Sequence, residues 1–192
     1  AGALLLLDQE RFGKTAHLIV AGDVQILTIR QGKKLEEGST DPQTLAWRSG
    51  VATGFLTPAQ YFNNEQASTL TNTFGSVHYE RTIVRSLETQ PDDLIIMADD
   101  GIRGVVSEYE ILEIVQEENG DVTRIKNRLS QLAYTRQNSL IPFTVRVSED
   151  PKDIAEFCQH KTAGINVNDP HATLPDDRKR GDNFALLVVK IR

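Results

Sequence analysis

Cysteine is almost absent from this sequence, since its 192 residues include a single one, Cys158. One cysteine excludes a disulfide within the chain and fits a reducing, intracellular compartment. A catalytic thiol would need an activating histidine beside it in the fold. We therefore interpret Cys158 as a core or surface thiol.

Long apolar runs and clusters of basic residues are missing as well. No run approaches the roughly 18 apolar residues that a membrane-spanning helix requires, so we expect no membrane span. The formal net charge is −6, and the longest basic run is residues 178–180. This charge balance argues against a nucleic-acid-binding surface and favours a protein or a metal ion as the partner.

Several common active-site motifs are also absent. The four histidines have no spacing typical of a zinc site: His17, His78, His160 and His171. The sequence contains no glycine-rich phosphate loop, no dinucleotide-binding fingerprint and no nucleophile elbow. These absences disfavour zinc enzymes, nucleotide enzymes built on those loops, and serine hydrolases.

The residues that are present indicate one folded domain over 1–192. Hydrophobic residues make up 39% of the chain and charged residues 25%, which is typical of a globular domain. Apolar segments predict six strands, the first three as an antiparallel meander. We expect these strands to form one sheet, with the first and last strands buried: ALLLLD, HLIVAG, VQILTI, RTIVRSL, LIIMAD and ALLVVKI. Residues 35–79 keep no periodicity and are predicted as a long loop region within the domain.

Helices are predicted after the fifth strand. Ser107 and Glu110 fit a capping box that starts a helix over about 108–118. A second helix is predicted over 121–134, with its first aspartate as N-cap, and a short third helix at 151–160. The first two helices carry apolar stripes that need cover, so we expect them antiparallel on one face of the sheet. The pattern predicts an α+β fold, in which antiparallel strands pack against helices.

Aspartates adjoin two of the predicted strands. The fifth strand is followed, and the sixth preceded, by these residues: Asp99, Asp100 and Gly101; Asp182 and Asn183. Carboxylates that converge from rigid strand ends repel each other unless a cation such as Mg²⁺ or Mn²⁺ neutralises them. Alternatively, they are turn aspartates that hydrogen-bond their own backbone. The residues alone leave both interpretations open.

Three segments resemble, in the same order, the PPM (type 2C) family of metal-dependent serine/threonine protein phosphatases. DDLIIMADDGIRGVVSEYEI is similar to the family's strand with a Ser/Thr-Asp-Gly motif, and RGDNFALLVVKI resembles the Asp-Asn motif that opens its last strand. AHLIVAGDVQILTIRQGKKLE resembles the paired strands around a structural Gly-Asp turn, here Gly22 and Asp23. NRLSQLAYTRQNSLIPF is similar to the mitochondrial-type branch. The resemblance implies a phosphatase-like β-sandwich represented by its C-terminal two-thirds, without the N-terminal part.

The resemblance also implies roles for the aspartates. Asp100 and Asp182 would be metal ligands, and the neighbours of the metal site would be Asp99, Gly101 and Asn183. The family's centre holds two Mn²⁺ or Mg²⁺ ions, which activate a water that attacks the phosphoester of a phosphoprotein substrate. The compartment implied is the cytoplasm or the mitochondrion.

The sequence departs from the family's pattern in ways that leave two hypotheses open. It has no Asp-Gly-His-Gly string, which carries the family's bridging aspartate, and it lacks the further acidic residue and phosphate-binding arginine expected ahead of the first strand. Asp99 replaces a serine or threonine, and Val24 follows the Gly-Asp turn where the family has serine or arginine. The chain is then either part of an active phosphatase, completed by an upstream segment or a separate chain, or a pseudophosphatase that serves as a binding or structural subunit.

Overall fold

The computed structural model describes residues 2–8, 15–41, 43–44, 47–56, 70–71, 82–138 and 184–192. The third predicted helix, at 151–160, lies outside these residues. The described parts of the predicted loop region include a 3₁₀ turn at Glu36–Gly38 and a π-helical turn at Trp47–Val51. In the described ranges, no helix is long and apolar enough to cross a membrane.

All six predicted strands form, and a two-residue strand follows the third. In chain order they are β1 (Gly2–Asp8), β2 (Thr15–Ala21), β3 (Gln25–Arg30), β4 (Lys33–Lys34), β5 (Ile83–Glu88), β6 (Leu94–Ala98) and β7 (Leu186–Lys190). They pair antiparallel in two sheets, with the orders β1-β2-β5 and β4-β3-β6-β7. The predicted antiparallel α+β fold is confirmed.

The expectation of one sheet, and of a meander through the first three strands, is wrong. β1 and β2 do pair, but after the turn at Gly22, where φ is +101°, β3 enters the second sheet. Residues 25–29 of β3 are buried one after another, because one face of the strand meets the first sheet and the other meets helices. Apolar patterning shows which residues face a core, but it does not say which strand is the partner.

The two sheets pack face to face around a shared core. Its buried side chains come from β2, β3, β6 and the end of the chain: Ala16, Leu18, Val20, Ile26, Ile95, Met97 and Ile191. Along β2 these buried residues alternate with partly exposed ones. This alternation is typical of a β-sandwich, as the resemblance implied.

Three helices lie between β6 and β7 in the described chain: α1 (Asp100–Arg103), α2 (Glu108–Glu117) and α3 (Val122–Asn138). The predicted capping box is present, since the Ser107 hydroxyl accepts from the Glu110 N–H while the Glu110 carboxylate accepts from the Ser107 N–H. The predicted N-cap also forms, because Asp121 accepts from the N–H of Arg124 at 3.0 Å. Helix α3 continues about one turn beyond the predicted end, and α1 was not predicted.

Helices α2 and α3 cover the outer face of the second sheet, as their apolar stripes required. The core that they share with this sheet contains Ile111, Ile114 and Val115 of α2, Ile125, Leu129 and Ala133 of α3, and Leu27, Ile29, Leu94, Ile96 and Val188 of the strands. Ile102, Val105 and Val106 extend the same core under α1 and the residues after it. The segment after Asp99 is therefore fixed from below by apolar packing.

The first and last strands are less buried than expected. Leu4 and Leu6 of β1 are 48% and 49% exposed, and Leu187 of β7 is 46% exposed. On β1, Leu4 and Leu6 alternate with Ala3 and Leu5, which pack against the core between the sheets, so they face away from it. Leu187 is on the same face as Val189 and Ile191, which pack in that core, and it stays exposed on an edge strand. A run of apolar residues predicts a strand correctly but does not show that both faces are covered.

Candidate metal site at one end of the sandwich

The candidate site lies where the central strand β6 ends. Residues 94–98 are all buried, and they pair with β3 on one side and with β7 on the other. Asp99 follows in an extended conformation, and its carbonyl accepts from the N–H groups of Ile102 and Arg103 at 3.3 and 3.0 Å. The chain thus turns directly from the strand into α1, which places Asp99 and Asp100 on the end of the sheet.

Asp99 connects this turn to the residues that enter β7. Its backbone N–H donates to the carbonyl of Ala185 at 3.3 Å, and its carboxylate Oδ2 accepts from the Ala185 N–H at 2.6 Å. The extra carboxylate therefore holds two neighbouring strands together at the site. No local sequence pattern indicated this contact, because it depends on the register of β6 and β7.

Asp100 is the first residue of α1, and its side chain is half-buried. Its carbonyl accepts from the N–H of Gly104 at 2.6 Å. Gly101 is buried, and its carbonyl accepts from the Gln137 side chain at 2.7 Å. The carboxylate of Asp100 is therefore carried by a short turn that is held on both sides.

The turn at Gly22 and Asp23 lies at the same end of the sandwich. The β3–β6 register pairs Gln25 with Ala98, so the residues just before β3 adjoin the residues just after β6. The Gly22 N–H donates to the Gln43 side chain at 2.8 Å, while its carbonyl accepts from the Gln43 N–H at 3.0 Å. Asp23 is 9% exposed.

The other predicted metal ligand, Asp182, and its neighbour Asn183 lie outside the described residues, so the predicted approach of Asp100 to Asp182 stays a prediction. Among the residues that the structure describes, no group of three or more His, Cys, Asp or Glu side chains could hold a metal ion. The described chain contributes the carboxylate of Asp100, a hard oxygen donor of the kind that Mg²⁺ and Mn²⁺ prefer. In donor chemistry Asp100 fits such a centre as one ligand of a larger set.

Two adjacent residues near the end of α3 hold the region around the site. Gln137 donates to the Gly101 carbonyl, and Arg136 donates to the carbonyl of Val105 at 2.6 Å. Arg136 also forms a bidentate ion pair with the buried carboxylate of Glu110, in which its two terminal nitrogens donate to the two carboxylate oxygens at 2.7 and 2.8 Å. The capping-box motif indicated one partner of Glu110, but no local pattern identified Arg136 or Gln137.

A second charge cluster lies at the start of α2. The carboxylate of Glu108 accepts from Gln25 at 3.0 Å and from Lys34 at 3.2 Å. Burial alone would lower the pKa of Lys34, but the hydrogen bond to Glu108 and the charges of nearby acids outweigh it and raise that pKa above its ordinary value. This cluster joins α2 to the second sheet.

A cavity of about 140 Å³ opens at the opposite end of the sandwich. It is lined by Leu7, Asp8, Thr15, Thr89, Lys190, Ile191 and Arg192. Lys190 pairs with Leu94 at the start of β6, whereas Asp99 follows the end of that strand. The cavity is therefore separate from the candidate metal site.

Comparison with known proteins identifies the fold. No protein-family model matches the sequence, and no curated protein matches it either. Solved structures do match: the serine/threonine phosphatase PstP/Ppp of Mycobacterium tuberculosis is 24% identical, with 62% of this chain and 48% of that chain covered and a TM-score of 0.51. The serine/threonine phosphatase of S. agalactiae is 20% identical, with 64% and 49% covered and a TM-score of 0.53.

A further match is the catalytic domain of PstP in complex with two manganese ions, which is 22% identical, with 64% of this chain and 48% of that chain covered and a TM-score of 0.51. The chain thus spans about half the length of the solved structures that it matches. These likenesses show that the chain has the fold of the PPM serine/threonine phosphatases. The placement in the mitochondrial-type branch stays a prediction.

Proposed function

We propose that this chain is part of a PPM-type protein serine/threonine phosphatase and that its share of the metal site lies at the end of β6 and the entry to β7. The observation that supports this most directly is the pair of hydrogen bonds between Asp99 and Ala185. They connect the segment that contains Asp100 to Ala185, which follows Asp182 by three residues in the sequence. Three peptide units separate Asp182 from Ala185, a reach of at most about 11 Å.

In this proposal Asp100 and Asp182 hold a divalent cation, Mn²⁺ or Mg²⁺, through their carboxylates. When bound, the cations of such a centre activate a water and offset charge on the phosphoryl group of a phosphoserine or phosphothreonine substrate. Asp99 has a different role, since its carboxylate fixes the start of β7. Gly101 and Asn183 adjoin the ligands in the sequence, and Gly22 with Asp23 forms the adjoining turn.

Ligand count predicts that this chain alone is a poor enzyme. Mg²⁺ requires nearly octahedral oxygen coordination, and two carboxylates can hold one ion loosely but cannot bridge two. We therefore expect weak Mn²⁺ binding and no substantial turnover of a phosphopeptide by the 192-residue chain. An upstream segment or a separate chain would supply the remaining ligands.

A pseudophosphatase is the second candidate function, and Asp99 favours it. This residue adds a negative charge where the family has a serine or threonine, and its carboxylate is engaged by the backbone of Ala185. In that case the fold serves as a binding or structural subunit, and this end of the sandwich keeps its structure without catalysing phosphoester hydrolysis.

Metal binding tests the proposal and separates it from the alternative. Electron paramagnetic resonance (EPR) titration of the chain with Mn²⁺ should show weak binding that Asp100→Asn and Asp182→Asn each reduce severalfold. Asp121→Asn is the matched control, because it removes a carboxylate while asparagine still caps a helix. Equal Mn²⁺ binding by all four proteins would contradict the proposal, and turnover comparable to an intact phosphatase, abolished by Asp100→Ala, would show that the site is more complete than we propose.

A further inference from the structure

Arg103, the last residue of α1, is a buried charge that the contacts of the described residues do not explain. The residue is 7% exposed. In the described part of the chain its Nε atom is buried without a hydrogen-bond partner, and no salt bridge to its guanidinium is formed there. Other buried or half-buried arginines in this structure are satisfied, since Arg30 pairs with Asp93 and Arg136 pairs with Glu110.

Burial of a charged group without acceptors is costly, by several kcal/mol in typical cases. A guanidinium carries five N–H donors in a planar fork and does not lose its proton in proteins, so it cannot escape this cost by becoming neutral. Such an arginine is understandable if an anion supplies the missing acceptors. Oxyanions such as phosphate match the fork with two parallel hydrogen bonds.

The position of Arg103 relates it to the candidate metal site. It lies three residues after Asp100 in the same helical turn, a spacing that places side chains on one face about 5–6 Å apart at their Cβ atoms. The turn itself is held rigidly by Gln137 and by the apolar residues under it. An arginine from α1 would therefore place positive charge beside the carboxylate of Asp100.

We propose that Arg103 binds the phosphoryl group of a phosphate monoester beside Asp100. This inference rests on the proposed function for the identity of the ligand, but the anion site itself needs no metal. The carboxylates of Asp99 and Asp100 would repel an anion. Mn²⁺ at Asp100 should therefore strengthen phosphate binding, and by linkage phosphate should strengthen Mn²⁺ binding by the same factor.

Inorganic phosphate is the probe, and the complete 192-residue chain is the protein. We expect phosphate to raise the melting temperature of the parent chain and Arg103→Met to lose this rise, with affinity reduced about tenfold or more, as expected for loss of charge-assisted hydrogen bonds. Without phosphate, Arg103→Met should melt higher than the parent, because the variant no longer buries an uncompensated charge. Arg124→Met is the matched control, since its side chain is 73% exposed and its removal should change neither quantity.

The outcomes separate this inference from the proposed function. If Arg103→Met binds phosphate as tightly as the parent, or if the parent does not bind phosphate at all, the inference is wrong even when Asp100→Asn abolishes Mn²⁺ binding. If phosphate binding depends on Arg103 but no protein binds Mn²⁺ through Asp100, the anion site stands and the metal proposal fails. If, without phosphate, Arg124→Met melts higher than the parent by the same margin as Arg103→Met does, the gain reflects a general charge effect. That result would also overturn the inference.

Discussion

Replacement of Glu110 by alanine should destabilise the fold more than any surface change on the same helix. The Glu110 carboxylate accepts from both terminal nitrogens of Arg136 and from the Ser107 N–H, at 2.7, 2.8 and 3.0 Å. The two side chains are only 10% and 12% exposed. The substitution therefore leaves a buried guanidinium with its carboxylate removed, and it removes the half of the capping box in which the Ser107 N–H donates to Glu110.

The size of this effect follows from burial. Removal of one partner of a buried ion pair costs about 3–5 kcal/mol. Arg136 keeps its hydrogen bond to the Val105 carbonyl, so we expect the lower end, about 3 kcal/mol. This is a large fraction of the roughly 5–15 kcal/mol that stabilises a typical domain.

Urea-induced unfolding of the full chain measures the effect as a lower midpoint with an unchanged slope. Glu117→Ala is the matched control on α2, because Glu117 pairs with Arg128 at an exposed position and should cost less than about 1 kcal/mol. The double variant Glu110→Leu/Arg136→Met should recover most of the loss, since it buries no charge. If Glu110→Ala and Glu117→Ala lower the free energy of unfolding equally, the buried Glu110–Arg136 pair does not stabilise the fold as argued.

Three further outcomes are expected. Gln137→Ala should speed amide hydrogen exchange in α1 and weaken Mn²⁺ binding by the chain, because the Gly101 carbonyl loses its side-chain donor; unchanged exchange would show that the contact does not position the turn. Ser107→Ala should lower the free energy of unfolding by about 1 kcal/mol through loss of the cap, and an equal loss from a Ser107→Thr change would argue against capping. The pKa of Lys34 is raised, so the stability that its charge contributes is present below its unfolded pKa of 10.5 and is lost as the pH rises through the folded pKa. Lys34→Met should therefore unfold at a lower urea concentration than the parent near neutral pH, and this difference should shrink at strongly alkaline pH.

The sequence predicted the elements of this fold better than their arrangement. Each strand is a short apolar run and each long helix has its own start signal, such as the capping box at Ser107, so these elements depend on neighbouring residues alone. The partner of β3 and the exposure of Leu4 and Leu6 depend on which elements meet in three dimensions. Local patterns do not contain that information, so the strand pattern alone predicted a single sheet where two exist, whereas the resemblance implied the β-sandwich.

The candidate site divides in the same way. The sequence indicates Asp99 and Asp100 because a buried strand rarely ends on two carboxylates. Their segment also resembles the strand of the phosphatase family that ends in an Asp-Gly motif. The contact between Asp99 and Ala185, and the support that Gln137 gives to Gly101, join residues 86 and 36 positions apart. Such contacts arise from strand register and helix packing, which sequence spacing does not reveal.

Asp100 and Asp182, in this proposal, lie close together at the end of the sandwich where β6 ends, and they share a divalent cation. A crystal structure of the chain grown with millimolar Mn²⁺ and phosphate, with anomalous diffraction recorded near the manganese edge, tests this arrangement directly. We predict an anomalous peak in contact with both carboxylates, which should lie within roughly 6 Å of each other, the range in which like charges perturb each other's ionisation. Carboxylates on opposite edges of the sheet, or a manganese peak that touches neither of them, would contradict the claim.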